Sequence, residues 1–243
     1  MLDNIITIDG PAGSGKSTVA KILARELNLK YIDTGAMYRA ITLLALQNNI
    51  DCKDEKSILK LARNINLQLD SNSVDESRYT TVKIDGKDVT NEIRSREVGA
   101  AVSIVSKLSG VRRYLVSLQK KFIQGGNAVL EGRDTGSVVC PNAALKIYLT
   151  ASLDERIKRR DLQIREKGHF LERNIIKKEI ISRDRIDSSR EDSPLVIPEN
   201  GIIIDTSRLY LKPGKEVLIH SESRIVTFPL DNKASIERDI AIL

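Results

Sequence analysis

Residues 10–18 read Gly10-Pro11-Ala12-Gly13-Ser14-Gly15-Lys16-Ser17-Thr18, a run whose residue types and spacing could grip phosphate. It fills the pattern G-x-x-x-x-G-K-[ST]. Glycines let backbone N–H groups turn inward around phosphate oxygens, Lys16 supplies a point charge, and the Ser17 hydroxyl can sit on Mg²⁺. This chemistry needs a strand before the loop and a helix after it, because a helix N-terminus adds a dipole that favours anions. Both are predicted. Residues 4–9 form a short, β-branched apolar run, and residues 17–27 carry apolar side chains at helical spacing. A nucleoside-triphosphate site is therefore expected on residues 10–18.

Other segments could serve a second substrate. Asp33-Thr34-Gly35-Ala36-Met37-Tyr38-Arg39 follows a second short strand at 30–33, and Glu131-Gly132-Arg133-Asp134-Thr135-Gly136 follows a buried one. Ser103 and Arg112 fall on central helices, and 183–190 holds Arg183, Asp187 and Arg190. A guanidinium meets the paired oxygens of a phosphate bidentately and stays charged at every relevant pH. A lone arginine is ordinarily a solvated ion pair, but Arg133 directly after a buried strand is a better candidate for function. At 155–165, Glu155–Arg159 and Asp161–Arg165 are i,i+4 pairs that would each stabilise an exposed helix by about 0.3–0.5 kcal/mol. The basic surplus there exceeds what pairing needs, so Arg156 and Arg160 are expected to close on ATP phosphates, the alternative being a solvated helix face.

The elements that must position these groups alternate strand and helix. Helical spacing recurs over 36–47, 55–64, 95–107 and 111–123, and buried strands are predicted at 127–131, 145–149 and 201–205. Residues 66–90 differ: two alternating runs and Asp85-Gly86, a type I′ hairpin signal, predict a small antiparallel insertion. Two charged helical stretches at 153–167 and 171–187, hinged near Gly168, look lid-like. The expected fold is α/β: a P-loop NTPase fold with a five-stranded parallel sheet and helices on both faces, its active crevice at the carboxyl ends of the strands.

A chain of 243 residues can bury a sizeable core. Lys and Arg number 39 against 33 Asp and Glu, a net charge of +6 that points to phosphates or nucleic acid. Trp is absent and aromatics are only 4%, so stacking platforms for single strands are poorly supplied and a small anionic ligand fits better. Cys52 and Cys140 show no metal-ligand spacing and are expected to be reduced thiols. No apolar run approaches a membrane-spanning length, and a cytoplasmic protein is expected.

A P-loop alone leaves open an ATPase, a nucleotide-gated switch on nucleic acid and a kinase for a non-nucleotide hydroxyl. The P-loop, D-[ST]-G-x-x-Y-R at 33–39, E-G-R-D-x-G at 131–136 and R-D-x-x-D-S-x-R at 183–190 together resemble cytidylate kinases of bacterial type, over about residues 3–208. The resemblance implies a nucleoside-monophosphate kinase that transfers the γ-phosphoryl group of MgATP to CMP or dCMP. It implies that Lys16, Arg133, Arg183 and Arg190 are catalytic, with Thr34 and Arg39 joining the three arginines on the monophosphate and transferring group. Ser103, Arg112 and Asp134 would read the cytosine edge, and Asp187 would face the ribose. Mg²⁺ would sit on Ser17, with Asp33 or Glu131 acting through water. No nucleic acid or membrane partner is implied, and a monomer is expected.

One domain is expected over 1–243, with a core at 1–33, 91–152 and 201–211, a monophosphate-binding region at 34–90 and a lid at 153–190. The family resemblance falters after Asp205-Thr206-Ser207. Pro213 and Gly214 break the amphipathic helix with which such chains usually finish, and residues 212–243 form an atypical, partly strand-like segment.

Overall fold

The structure, a computed structural model, describes residues 2–70, 80–166, 168–208, 211–212, 216–221 and 224–227. The elements run β1 (Leu2–Asp9), α1 (Lys16–Glu26), β2 (Lys30–Asp33), α2 (Thr34–Gln47), α3 (Glu55–Arg63), β3 (Leu67–Asp70), β4 (Thr81–Ile84) and β5 (Lys87–Asp88). There follow α4 (Arg96–Val105), α5 (Ser109–Phe122), β6 (Ala128–Glu131), β7 (Ala143–Thr150), α6 (Leu153–Glu166), α7 (Arg173–Ser188), β8 (Ile202–Asp205), β9 (Leu211–Lys212), β10 (Glu216–Ser221) and β11 (Arg224–Thr227).

Five of these strands form the expected parallel sheet in the order β2-β6-β1-β7-β8. β1 lies at its centre, pairing Ile5–Ile8 with Ala128–Glu131 of β6 and Ile6–Asp9 with Leu145–Tyr148 of β7. Alternation along the strands divides the core between the faces. Ile6, Ile8, Tyr31, Val129, Ile147 and Leu149 pack on Ala20 and Ala24 of α1, whose small side chains let the helix lie close to the sheet. Ile5, Ile32, Ala128 and Leu130 face the other way, onto Val116 of α5 and the neighbouring Ile123. Helices thus cover both faces, and the loop after β1 emerges between β6 and β7 at the carboxyl edge.

The insertion forms a three-stranded sheet in the order β3-β4-β5. Asp85 (φ 51°) and Gly86 (φ 83°) both have positive φ, as the predicted type I′ turn requires. Leu67, Val82 and Ile84 share one buried cluster with Met37 and Ile41 of α2, Ile58 of α3 and Leu115 of α5. The part of the insertion at 71–79 lies outside the described residues. α6 and α7 pack on each other through Ile157, Ile164, Ile176 and Ile180, and the break between them falls near Gly168, where it is expected.

Two details depart from the sequence pattern. α2 begins at Thr34 rather than Ala36, because the Asp33 carboxylate accepts from the Ala36 N–H (3.0 Å) and caps the helix a residue before Thr34. Residues 135–139 form a π-turn that periodicity does not reveal. The Asp134 carbonyl accepts from the Val138 and Val139 N–H groups (2.9 and 3.2 Å), which coils the chain tightly after Asp134. Beyond Ser207, β9, β10 and β11 pair antiparallel, matching the strand-like character expected there, while 228–243 lie outside the described residues.

Gly10, where β1 turns into the loop, has φ 146°, and a Cβ there would lie 1.9 Å from the Leu149 carbonyl oxygen. Gly125 has open space around it. Gly10→Ala is expected to destabilise the fold by at least about 2 kcal/mol in urea denaturation, and Gly125→Ala to stay within about 0.5 kcal/mol of the parent.

Candidate active site

Lys16 opens α1 at the carboxyl edge of the sheet and is buried. Its Nζ donates to the Pro11 carbonyl oxygen (2.7 Å) and to Ser14 Oγ (3.4 Å), so the ammonium lies over the loop that it terminates. Burial, then the neighbouring Arg133, push the Lys16 ammonium well below its ordinary pKa, and Arg183 acts in the same direction. The outer side of the loop is held by side chains that no motif indicated. Thr206 Oγ1 donates to the Ser14 carbonyl (2.9 Å) and accepts from Arg159 (2.9 Å), which also donates to the Gly13 carbonyl (3.3 Å). The expected Glu155–Arg159 pair forms at 3.1 Å, but Arg159 is more than an exposed helix partner.

The two lid arginines separate. Arg156 is buried, donates to the Ala12 carbonyl (3.4 Å) and pairs with Asp184 (2.5 Å). Arg160 is exposed, and its charge acts on Arg39 and Arg183. Gly13 and Gly15 complete the loop, and Ser17 and Thr18 lie in the first turn of α1, half-buried and exposed respectively.

Beside the loop lies a carboxylate pair. Glu131, buried at the end of β6, accepts from the Tyr31 hydroxyl (2.6 Å), and its backbone carbonyl accepts from Thr34 Oγ1 (2.7 Å). Burial, then Asp33, push the Glu131 carboxyl up, against the opposing influence of Tyr31, Lys16 and Ser17. Its Oε2 is buried with no hydrogen-bond partner. Asp33 pairs with Arg94 at 3.4 Å. Among the described residues no group of three His, Cys, Asp or Glu side chains could hold a metal ion. A hydroxyl, an unmatched carboxylate oxygen and a second acid suit an ion that keeps its waters and takes phosphate oxygens, as Mg²⁺ does.

The arginines gather around Asp187 on α7. Arg133 Nε donates to one Asp187 oxygen (2.8 Å) and Arg190 to the other (3.2 Å). Burial pushes the Asp187 carboxyl up, but Arg133, Arg183 and Arg190 together hold it below the usual carboxylate range. The Arg183 guanidinium donates no hydrogen bond among the described residues. Burial, then Arg133, push it down to about 9, with Arg39 and Arg160 adding to the effect. Arg39 donates to the Ile93 carbonyl (3.3 Å) and is lowered by burial.

Next to this cluster Arg112 (1% exposed) and Asp134 (4% exposed) form a buried pair at 2.5 Å. The Arg112 guanidinium lies 5.2 Å from the centroid of the Tyr38 ring and donates to the Ser106 carbonyl (3.2 Å). Arg190 and Arg112 also reach the Ser193 carbonyl, at 3.1 and 3.5 Å. Ser103 is half-buried on α4, joined to this group only through Ser106, whose hydroxyl donates to the Ser103 carbonyl (3.2 Å). Direct contacts therefore bring together Arg112, Asp134, Arg133, Asp187 and Arg190, but not the Ser103 hydroxyl. Sequence reasoning missed Tyr31, Arg94, Arg159, Ser193 and Thr206; for Tyr31, a hydroxyl one strand away from Glu131 was the available signal.

A parallel sheet with a glycine-rich loop at the carboxyl end of its central strand, carrying a lysine ringed by arginines, defines a P-loop phosphotransferase. The family model described as cytidylate kinase matches residues 6–220. The cytidylate kinase of Alkaliphilus oremlandii is 47% identical over 215 residues, which cover 88% of this chain and 95% of that one. The cytidylate kinase of Enterococcus faecalis is 49% identical over 209 residues, 85% of this chain and 90% of that one. That of Caldanaerobacter subterraneus is 48% identical over 204 residues, 84% and 88% of the two chains. The chain belongs to the cytidylate kinase family, and with it to the nucleoside-monophosphate kinases.

Because Arg112 and Asp134 are both buried, removing one strands the other's charge. Arg112→Met is expected to cost about 3 kcal/mol in urea denaturation, and adding Asp134→Leu to recover more than half of that loss.

Proposed function

We infer that the protein transfers the γ-phosphoryl group of ATP to CMP or dCMP, giving ADP and CDP or dCDP. The observation that carries this reading is the cluster of Lys16, Arg39, Arg133 and Arg183, in which burial and then neighbouring like charges lower Lys16 and Arg183, next to the buried Arg112–Asp134 pair. The first is suited to converging phosphates, and the second offers a donor and an acceptor to a base.

The acceptor phosphate is already a nucleophile, so no covalent intermediate is needed and catalysis rests on alignment and charge. In this reading the N–H groups of residues 10–18 hold the ATP phosphates and Lys16 leaves the Pro11 carbonyl for them. Arg133, Arg183 and Arg190 orient the monophosphate and neutralise charge on the transferring group, with Thr34 and Arg39 behind them. Mg²⁺ bound with ATP would supply further charge neutralisation. Ser17 would hold it, with Asp33 or the unmatched Glu131 oxygen acting through water. Asp187, paired to Arg133 and Arg190, would meet the ribose. Arg112 donates to, and Asp134 accepts from, the cytosine edge, with Ser103 assisting. α6 and α7 close as a lid, bringing Arg156 and Arg160 toward ATP and excluding water.

No helix among the described residues is long and apolar enough to cross a membrane. We place the enzyme in the cytoplasm as a monomer, in keeping with its nucleotide substrates.

The test is ADP formation from ATP with CMP, UMP or RNA added. CMP should stimulate it with kcat/KM exceeding that of UMP by about tenfold to several hundredfold, because uracil offers a carbonyl where Asp134 expects an amine. Equal use of CMP and UMP would defeat the base assignment, and stimulation by RNA instead would favour a nucleic-acid switch. Arg133→Lys should lower kcat by about 100-fold, since a point charge cannot reproduce bidentate contact. An unchanged rate would return Arg133 to a supporting ion pair.

A further inference from the structure

Asp9, the last residue of β1, is fully buried, yet no step above uses it. One carboxylate oxygen accepts from the Thr135 N–H (2.9 Å) and the Thr135 hydroxyl (2.8 Å), and the other accepts from the Gly136 N–H (2.7 Å). All three donors belong to the turn that starts at Asp134. A further bond, from the Gly132 N–H to the Ile8 carbonyl (3.1 Å), ties the same crossing to β1 just before Asp9. There is little slack. A Cβ on Gly132 would come within 2.5 Å of Thr34 Oγ1 and 2.6 Å of Thr135 Cγ2.

A buried carboxylate is expensive to keep, and burial does push the Asp9 carboxyl up despite its three bonds. A neutral carbonyl could hold a turn that served only the fold. A carboxylate takes three donors at once and fixes the turn from both sides. Arg133 and Asp134 stand between Gly132, bonded to β1, and Thr135, bonded to Asp9, so both ends of this dipeptide are clamped to the strand.

We propose that Asp9 is a positioning residue for the monophosphate substrate: it locks the 132–136 segment so that Arg133 and Asp134 face CMP. This rests on the reading of Arg133 and Asp134 as CMP-binding groups. The effect is one-sided. Although Gly10 follows Asp9 directly, the phosphate loop has its own anchors in the Thr206–Ser14 and Arg159–Gly13 bonds.

Asp9→Asn keeps the size of the side chain but points an amide N–H at the N–H of Thr135 or Gly136. Steady-state kinetics should show the KM for CMP rising by about tenfold or more while the KM for ATP stays within about twofold. Thr135→Val removes one donor at constant volume and should give the same split at about threefold. It carries the test if Asp9→Asn does not fold. Equal changes in both KM values, or an unchanged KM for CMP in both variants, would overturn the proposal. Asp134→Ala, measured alongside, keeps the two ideas apart. If it retains the preference for CMP over UMP while Asp9→Asn shows the split, the base assignment fails and Asp9 acts through Arg133. If it loses the preference while Asp9→Asn and Thr135→Val leave the KM for CMP unchanged, the base assignment stands and Asp9 is only a structural anchor.

Discussion

Like charges brought together out of water repel strongly, and the site accepts that cost around Lys16, Arg133 and Arg183. Glu131 and Asp187 offset part of it. Asp187 is already engaged by Arg133 and Arg190, and Glu131 by Tyr31, so the Arg183 guanidinium is left without a hydrogen bond among the described residues. Burial first, and then this repulsion, lower Lys16 and Arg183. In the proposed reaction phosphate groups relieve it, so that binding energy would come from completing a charge balance left incomplete in the free protein.

The rest of the fold holds this arrangement against its own repulsion. β1 brings the phosphate loop to the edge of the sheet, and its neighbour β6 delivers Glu131 and Arg133 to the same edge through the Ile8–Glu131 register. The apolar clusters on the two faces of the sheet fix that register. α7 carries Arg183 and Asp187, and Arg190 follows just after its end, so the charge cluster spans two parts of the chain that the sheet does not join directly. In the proposed reaction, lid closure and neutralisation of the cluster become the same physical event, because phosphates held by the loop would also meet Arg183 on α7.

Most of this was legible in the chain. The loop after β1 announced itself because only glycine tolerates its backbone, and Gly10 shows why: any Cβ there runs into Leu149. Elements with clear periods, such as β2, α3 and β8, fall within a residue or two of their expected bounds. Arg112 and Asp134, far apart in sequence, were paired only through the family resemblance; the structure shows them in contact. The π-turn after Asp134 was invisible because it has no apolar period and because its ties are the Asp134 backbone carbonyl and the carboxylate of Asp9 on a distant strand. Thr206 and Arg159 were missed for a related reason. Their partners are backbone carbonyls of the loop, and no residue type advertises a carbonyl.

The central claim is that repulsion among these basic groups is held in the free protein and released by phosphate. Arg183→Met tests it directly, because the methionine keeps much of the apolar stem and removes the charge. Thermal unfolding of the ligand-free variant should occur at a higher temperature than that of the parent, while CMP-dependent turnover falls by at least about 100-fold. A lower unfolding temperature, or turnover near that of the parent, would contradict the account.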